Sequence, residues 1–536
     1  MPKIVLLIFL PIFVKIIFIK NYFDGDLMKS KIKEIFSNTK FFFWLIIFVA
    51  IALRIGKFFS KSSWLNQDEA SIGYDAFALL NYGIDRNGMS FPIHLVSWGS
   101  GQNALYAYLS MPFIAIFGLC SFSVRIVNFI AVIGSIAAIY HICRDLFDKK
   151  VGLIAMALTA ISPWSIMISV WGLESNLFPS LFVFGLFFLV KAFKKPYKIC
   201  LSAAIFSLCL YSYGSAYVVV PVFLLLSIIL VLKNKLIPLK WVSIAFGIFV
   251  IMSIPIGLFV LINKFGWSSI HLGPFTIPSM AENARINELL NVPGPKRLIN
   301  NILDIFVFQN DKLIFNTIPP LGWTYIISIP FTILGFFETI KSKNRINKLI
   351  LFAFISAAIL IFFLADINSN RINGIFIPII VLTAAGINSI ITNKTAAIAV
   401  LCSYLVFCST FTLGFYSNSY AKKQSVNQYD SLGEAIKYAD SITDAETIYV
   451  TDSVNMPYIY VLFYTQENPH EYIKTVKYSK ANIDFNQIKS FGKWEFNIDG
   501  YSENEPGVYI IDNKVIDPES NHDMVKFKNY SVVTIE

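Results

Sequence analysis

KFFFWLIIFVAIALRIGKFFSKSSWLNQDEASIGYDAF, residues 40–77, decides the fold. Its first part, 40–59, is almost wholly apolar and long enough to cross a hydrocarbon core of about 30 Å at about 1.5 Å per helical residue. Two adjacent carboxylates, Asp68 and Glu69, follow at once. An acid inside hydrocarbon is costly, so the chain has left the bilayer by residue 68. The pair therefore stands at a membrane exit, either as an idle solvated loop or as the working groups of a site whose substrate arrives in lipid.

The same pattern repeats outward from this stretch. The 536 residues are 56% hydrophobic and 15% charged, with 50 phenylalanines. A soluble domain of this size has no use for so much apolar surface, and a polytopic α-helical membrane protein does. Apolar runs predict spans near 40–59, 122–142, 151–170, 177–193, 198–216, 217–232, 241–262, 317–340, 348–365, 372–392 and 395–418. A further run, 104–119, is short and holds Pro112. Basic clusters at 29–33, 143–150, 191–198, 233–240 and 341–348, with Asn393-Lys394, mark cytoplasmic ends. They alternate only if 104–119 is re-entrant or lies along the outer surface. The expectation is about 11 transmembrane helices, the N-terminus cytoplasmic and the C-terminus extracytoplasmic.

That topology places outside a first loop, 60–121, a second large loop, 263–316, and a tail from residue 421. The three parts are then a basic leader, 1–39, a transmembrane part, 40–420, and a C-terminal extracytoplasmic α/β domain, 421–536. The tail has 11 Lys, no Arg and 18 Asp plus Glu, a net charge of −7 in a chain of net +10. The positive remainder orients helices and does not indicate nucleic acid. In the tail, SLGEAIKYADSI reads as helix, and ETIYVTD, YIYVLFYT, GVYIIDN and YSVVTIE read as strands. The leader MPKIVLLIFLPIFVKIIFIK is followed by no small-residue cleavage site, which argues against a signal peptide, and Met28 is a natural start. The six cysteines lie in or beside apolar segments, with no CxxC or His/Cys metal spacing.

Successive side chains diverge by about 100° in a helix and point to opposite faces in a strand. Asp68 and Glu69 therefore cannot act alike on one atom. One can serve as base while the other binds an acceptor or orients its neighbour. The loop that follows is long for a connection and dense in polar and aromatic residues, including Tyr74, Asp75 and Gln102, and long ordered loops tend to carry function.

NQDEASIGYDAFALLNYGIDRNG (66–88), followed by LYAYLSMPFIAIFGLCSFSVRIVN (105–128), resembles bacterial membrane glycosyltransferases of family 39. These belong to the GT-C class, with the protein O-mannosyltransferases and the lipid A aminoarabinose transferases. SPWSIMIS (162–169), WGLESNLFP (171–179), LYSYGSAYVVVPVFLL (210–225) and SNRINGIFIPII (369–380) extend the resemblance over most of the chain after Met28, and YIYVLFYTQENPHEY (458–472) is similar to the extracytoplasmic domain of some Gram-positive members. One departure is Val170, where members often carry Arg.

The resemblance implies a polyprenyl-phosphate-sugar donor in the bacterial plasma membrane, mannosyltransferase-like chemistry and an extracytoplasmic acceptor: protein, glycolipid or cell-wall polymer. The residues agree with a lipid-linked donor, since no GxxxxGK[ST] or dinucleotide-binding glycine pattern serves a nucleotide sugar. Asp68 is carried over as the catalytic base, and Glu69 as the group that binds or orients the acceptor. The leaving phosphate gains charge and wants prepositioned cations. Arg371, which opens a span beside Asn368, Asn370 and Asn373, is the first choice; Arg297, Lys296 and Arg285 follow. Glu174, Asn176, Tyr74, Asp75, Gln102, Tyr211, Tyr213 and Tyr217 are candidates for the sugar or acceptor pocket. For Glu174 a plain helix-end carboxylate, and for the tyrosines an interfacial aromatic belt, are the bland alternatives. No motif calls for a cofactor, although a divalent ion at Asp68 or Glu69 is compatible with a phosphate donor. The rival readings are a lipid-linked sugar flippase or transporter, which calls for charge at mid-membrane, and a non-catalytic envelope-assembly scaffold.

Overall fold

The computed structural model describes residues 38–536 apart from 60–63, 100, 281–293, 365–366, 392, 443–445, 482–484, 503–504 and 517–521. The leader with Met28, and Arg285, lie outside these residues.

Helix α1 (Thr39–Phe58) starts where the Asn38 side chain accepts from the N–H groups of Lys40 and Phe41. The first long loop then forms α2 (Gln67–Tyr82), a short ribbon of β1 (His94–Leu95) and β2 (Gln102–Asn103), and α3 (Leu105–Phe117). The bundle continues through α4 (Ser121–Leu146), α5 (Lys149–Ile161), α6 (Pro163–Ile168), α7 (Glu174–Ala192), α8 (Lys198–Leu210), α9 (Ala216–Lys233) and α10 (Leu239–Phe265). The second long loop carries the hairpin β3 (Ile270–Leu272) and β4 (Phe275–Ile277), then α11 (Pro295–Leu303). Helices α12 (Ile329–Lys341), α13 (Lys348–Ala358), α14 (Phe376–Ile390) and α15 (Lys394–Phe415) complete the bundle.

Among the described residues, eight helical stretches are long and apolar enough to cross a membrane. Helices α3 and α8 are apolar but shorter, 13 residues each, or about 20 Å. Large apolar side chains such as Trp44, Phe48, Phe246, Ile251 and Val406 point outward from the bundle, as suits a lipid solvent. Helices α12 and α14 cross so closely that a Cβ on Gly335 would collide with the Leu382 carbonyl, and one on Gly386 with that of Phe331. Small residues at such a crossing let two backbones approach.

Three expected spans differ. The run 198–216 is helical only over Lys198–Leu210. The run 151–170 breaks at Ser162-Pro163: Pro163 has no N–H to continue α5, and Ser162 caps α6 by accepting from Ser165 N–H. The run 317–340 becomes helical only from residue 326. Pro319 and Pro320 supply no backbone donors, and Gly322 (φ 76°) and Tyr325 (φ 62°) take left-handed backbone.

The tail begins with α16 (Asn418–Asn427) and α17 (Leu432–Asp440). After β5 (Ile448–Val450) comes α18 (Pro457–Thr465), where YIYVLFYT was expected to be a strand. Pro457 at the first turn starts that helix, and the aromatic run is buried on all sides rather than on one face of a sheet. Strands β6 (Lys477–Lys480), β7 (Gln487–Phe491), β8 (Trp494–Glu495), β9 (Gly507–Asp512), β10 (Asp523–Lys526) and β11 (Tyr530–Ile535) follow. They join β5 in one seven-stranded sheet of order β10-β11-β9-β5-β8-β7-β6. β5 runs parallel to both neighbours, with Ile448 opposite Val508 and Trp494. One apolar core unites Leu65, Tyr74, Leu79 and Trp98 of the first loop with Leu432, Tyr458, Val461 and Trp494 of the tail.

Candidate active site

Helix α2 begins in a capping box. The Asn66 side chain accepts from Asp68 N–H at 2.8 Å, and Glu69 reaches back to accept from Asn66 N–H at 3.1 Å. This fixes the two acids on different sides of one helical turn. Glu69 is fully buried. Its Oε1 accepts from Arg125 Nε at 2.7 Å and from Gly172 N–H at 2.6 Å, and its Oε2 accepts from Arg125 Nη2 at 2.8 Å. The guanidinium fork lies between Trp64 and Trp171, 4.7 and 5.5 Å from their ring centroids. Gly172 must be glycine for this approach, because a Cβ there would sit 2.7 Å from Val124.

Asp68 is half-buried and lines a cavity of about 80 Å³. Five stretches of chain converge on it: Asn66 and Asp68; residues 164–176, with Trp164, Trp171 and Asn176; Phe315 and Asn316; Ser369 and Asn370; and Gln428 of the tail. Its walls are tied together. Trp164 Nε1 donates to Asn373 Oδ1 at 2.7 Å, and Asn373 Nδ2 donates to Asn176 Oδ1 at 3.2 Å. Asp311 Oδ2 accepts from Asn316 Nδ2 at 2.7 Å and from Ser369 N–H at 2.9 Å, clamping two walls.

The cationic candidates sit differently. Arg371 is half-buried and follows Asn370 in the chain, and its N–H donates to Asn368 Oδ1 at 2.9 Å. Lys296 and Arg297 are exposed on α11. Val170 is buried, so the turn before WGLESN presents no cation.

The remaining candidates form two further clusters. Glu174 Oε2 accepts from Asn103 N–H, while Asn103 Nδ2 donates to Tyr217 Oη at 3.2 Å. Tyr211 Oη turns away to donate to the Met252 carbonyl at 2.6 Å, and Tyr213 is half-buried. Beneath the tail, Asp75 pairs with Arg86 at 3.7 Å, both buried. Arg86 Nη2 donates to Ser71 Oγ and Ser97 Oγ at 2.8 and 2.9 Å, and its guanidinium stacks 4.7 Å from the Trp98 ring. Gln102 Oε1 accepts from Ser71 Oγ, and Tyr74 Oη donates to the Glu467 carbonyl at 2.8 Å. Burial pushes the Asp75 carboxyl up, with Arg86 opposing. Burial, reinforced by Asp75, pushes Asp85 up to about 7, although the Met89 and Asn87 N–H groups donate to it. Tyr74 thus ties the first loop to the tail, Asp75 and Gln102 brace the loop internally through Arg86 and Ser71, and none of the three lines the Asp68 cavity.

Arg125, Asp311 and Gln428 were not singled out from the sequence, and Asn373 only as a neighbour of Arg371. Arg125 lies in an apolar helical run, where a lone Arg reads as a membrane-edge anchor. Asp311 and Gln428 carry no local motif.

Residues 103–259 match the family model described as dolichyl-phosphate-mannose-protein mannosyltransferase. The apo crystal structure of ArnT from Cupriavidus metallidurans aligns over 92% of this chain and 98% of its own, at 10% identity and a TM-score of 0.53. ArnT bound to undecaprenyl phosphate aligns over 92% and 97%, at 11% identity and a TM-score of 0.55. No curated protein matches this sequence. The chain is a multi-pass membrane protein with the GT-C fold.

Proposed function

We propose that this GT-C membrane protein, carrying a mannosyltransferase-type segment at 103–259, is an inverting glycosyltransferase. It moves a sugar from a polyprenyl-phosphate donor to an extracytoplasmic acceptor. The observation that carries this reading is Asp68 at the N-terminus of α2, lining a cavity at which five chain segments meet.

Asp68 takes the acceptor proton as the acceptor attacks the anomeric carbon, a step that typically contributes about 10²–10⁴-fold. Direct displacement needs no covalent sugar intermediate and inverts the anomeric configuration. Glu69, committed to Arg125 and Gly172, acts by fixing the helix start that presents Asp68. Arg371 is the cation for the departing phosphate, suited by its fork. Lys296 and Arg297, exposed on α11, draw in the anionic headgroup. Asn176, which lines the cavity with Asp68, contacts the sugar in this reading. Glu174 and Tyr217 support it through Asn103, with Tyr211 and Tyr213 on the same side of the bundle. The N-terminus is cytoplasmic and the tail extracytoplasmic in a bacterial plasma membrane. The ArnT complex with undecaprenyl phosphate supports the donor class by analogy of fold.

Asp68→Asn in full-length protein is the test. Transfer is expected to fall by at least about 10²-fold at normal expression, with a phosphoprenyl monosaccharide retained on the purified mutant by mass spectrometry. Full transfer by Asp68→Asn would remove the assignment of the base. Absence of any phosphoprenyl lipid from both proteins under mild extraction would remove the donor class.

A further inference from the structure

Gln428 is 1% exposed, yet among the described residues neither Oε1 nor Nε2 of its amide has a hydrogen-bond partner. It lines the Asp68 cavity. A buried primary amide left unpaired is expensive, and such groups call for an explanation. The surrounding backbone shows that the placement is enforced. Tyr429 and Ser431 hold left-handed backbone, φ 54° and 72°, without being glycine. Side chains rarely adopt that conformation unless their surroundings impose it.

The surroundings here do impose it. Asp430 accepts from Lys528 Nζ at 2.6 Å and from Ser425 Oγ at 3.0 Å. Tyr429 Oη accepts from Asn455 N–H at 3.1 Å. On the other side, Tyr420 of α16 donates to the carbonyl of Ile314, next to the cavity residue Phe315, at 2.9 Å. The strained turn is thus anchored both to the tail sheet and to the cavity wall, and it delivers an unpaired amide between them. A second unpaired buried donor, Trp171 Nε1, belongs to the same lining.

We propose that Gln428 is a substrate-binding residue whose amide hydrogen-bonds a hydroxyl of the transferred sugar in the Asp68 cavity, so that the tail completes the active site. This rests on the cavity being the transfer site. The chemistry selects the ligand. An amide donates and accepts together, and so does a sugar hydroxyl. A phosphate oxygen only accepts and would leave the amide carbonyl unpaired. Apolar surface from Trp164 and Phe315 beside the amides of Asn176 and Asn316 suits the alternating faces of a sugar ring.

The experiment uses full-length protein with Asp68→Asn, which stops turnover, with and without Gln428→Leu. The probes are farnesyl phosphate alone and farnesyl phosphate bearing mannose, glucose or N-acetylglucosamine. Gln428→Leu is expected to weaken the preferred sugar-bearing probe about tenfold, leave farnesyl phosphate unchanged and keep the unfolding temperature. A parallel Gln428→Glu series retains the acceptor and loses the donor, and is expected to lose sugar affinity as well; it decides the matter if the leucine variant misfolds. Equal affinity of both proteins for every sugar-bearing probe overturns the proposal, as does an equal loss for bare and sugar-bearing lipid. No sugar-bearing probe exceeding farnesyl phosphate also overturns it, while the lipid-phosphate reading stands. If no probe binds at all, that reading itself fails.

Discussion

Glu69 gives both carboxylate oxygens to the fold, and Asp68, one residue earlier, lines a cavity. The sequence alone shows two acids that must diverge. Which one is committed depends on Arg125 and Gly172, 56 and 103 residues away, and no local pattern announces either. The pair also sets an energetic expectation. Removing one partner of a buried ion pair strands the other charge, typically at about 3–5 kcal/mol. Arg125→Ala should destabilise the protein by about that much, read by thermal or denaturant unfolding in detergent. Arg125→Lys should recover only part of it, because a lysine cannot reproduce the two-pronged contact. A wild-type unfolding midpoint for Arg125→Ala would show that the pair is not structurally important.

The start of α2 is legible at the level of the element. Asn66 followed three residues later by Glu69 is a capping-box pattern, and both of its hydrogen bonds are present. Asn66→Ala should cost about 1 kcal/mol. By loosening the turn that carries Asp68 it should lower kcat more than it raises KM. An unchanged kcat would separate the cap from catalysis. The apolar spans were legible for the same reason of scale, since bilayer crossing is written in composition over about 20 residues. The failures came where a local rule met its surroundings. Prolines interrupt the runs at 163 and 319–320, and YIYVLFYT, aromatic and β-branched, folds as a helix because tertiary burial overrides strand propensity. The cavity walls at Asn316 and Ser369 could not be paired from sequence, because Asp311 joins loops that no periodicity relates.

Seen as a whole molecule, the boundary drawn at residue 421 separates segments that share one core. The first outer loop and the tail pack together around Tyr74, Trp98, Tyr458 and Val461, and the buried Asp75, Asp85 and Arg86 lie beneath that junction. A carboxyl held at about 7 in the fold stands well above its ordinary value of 3.8. Between the two, the folded chain keeps a proton that the unfolded chain has lost. Stability therefore falls as pH rises through this window and levels off beyond about 7. Asp75, Arg86 and Tyr108 face this group as well, and in Asp85→Asn the Asn87 and Met89 N–H groups keep an acceptor. Asp85→Asn should flatten the decline in unfolding temperature between pH 5 and 8. An identical decline in the mutant would assign the pH dependence elsewhere.

The hydrogen bond from Tyr74 to the Glu467 carbonyl joins residues 393 positions apart. At a synthesis rate of about 5–20 residues per second, the first loop waits roughly 20–80 s for that partner to be made. Through most of this interval the tail residues that cover its apolar side chains, Tyr458 and Val461 among them, have not been made. The segments of the first loop that pack on the tail are therefore made well before the surface that covers them.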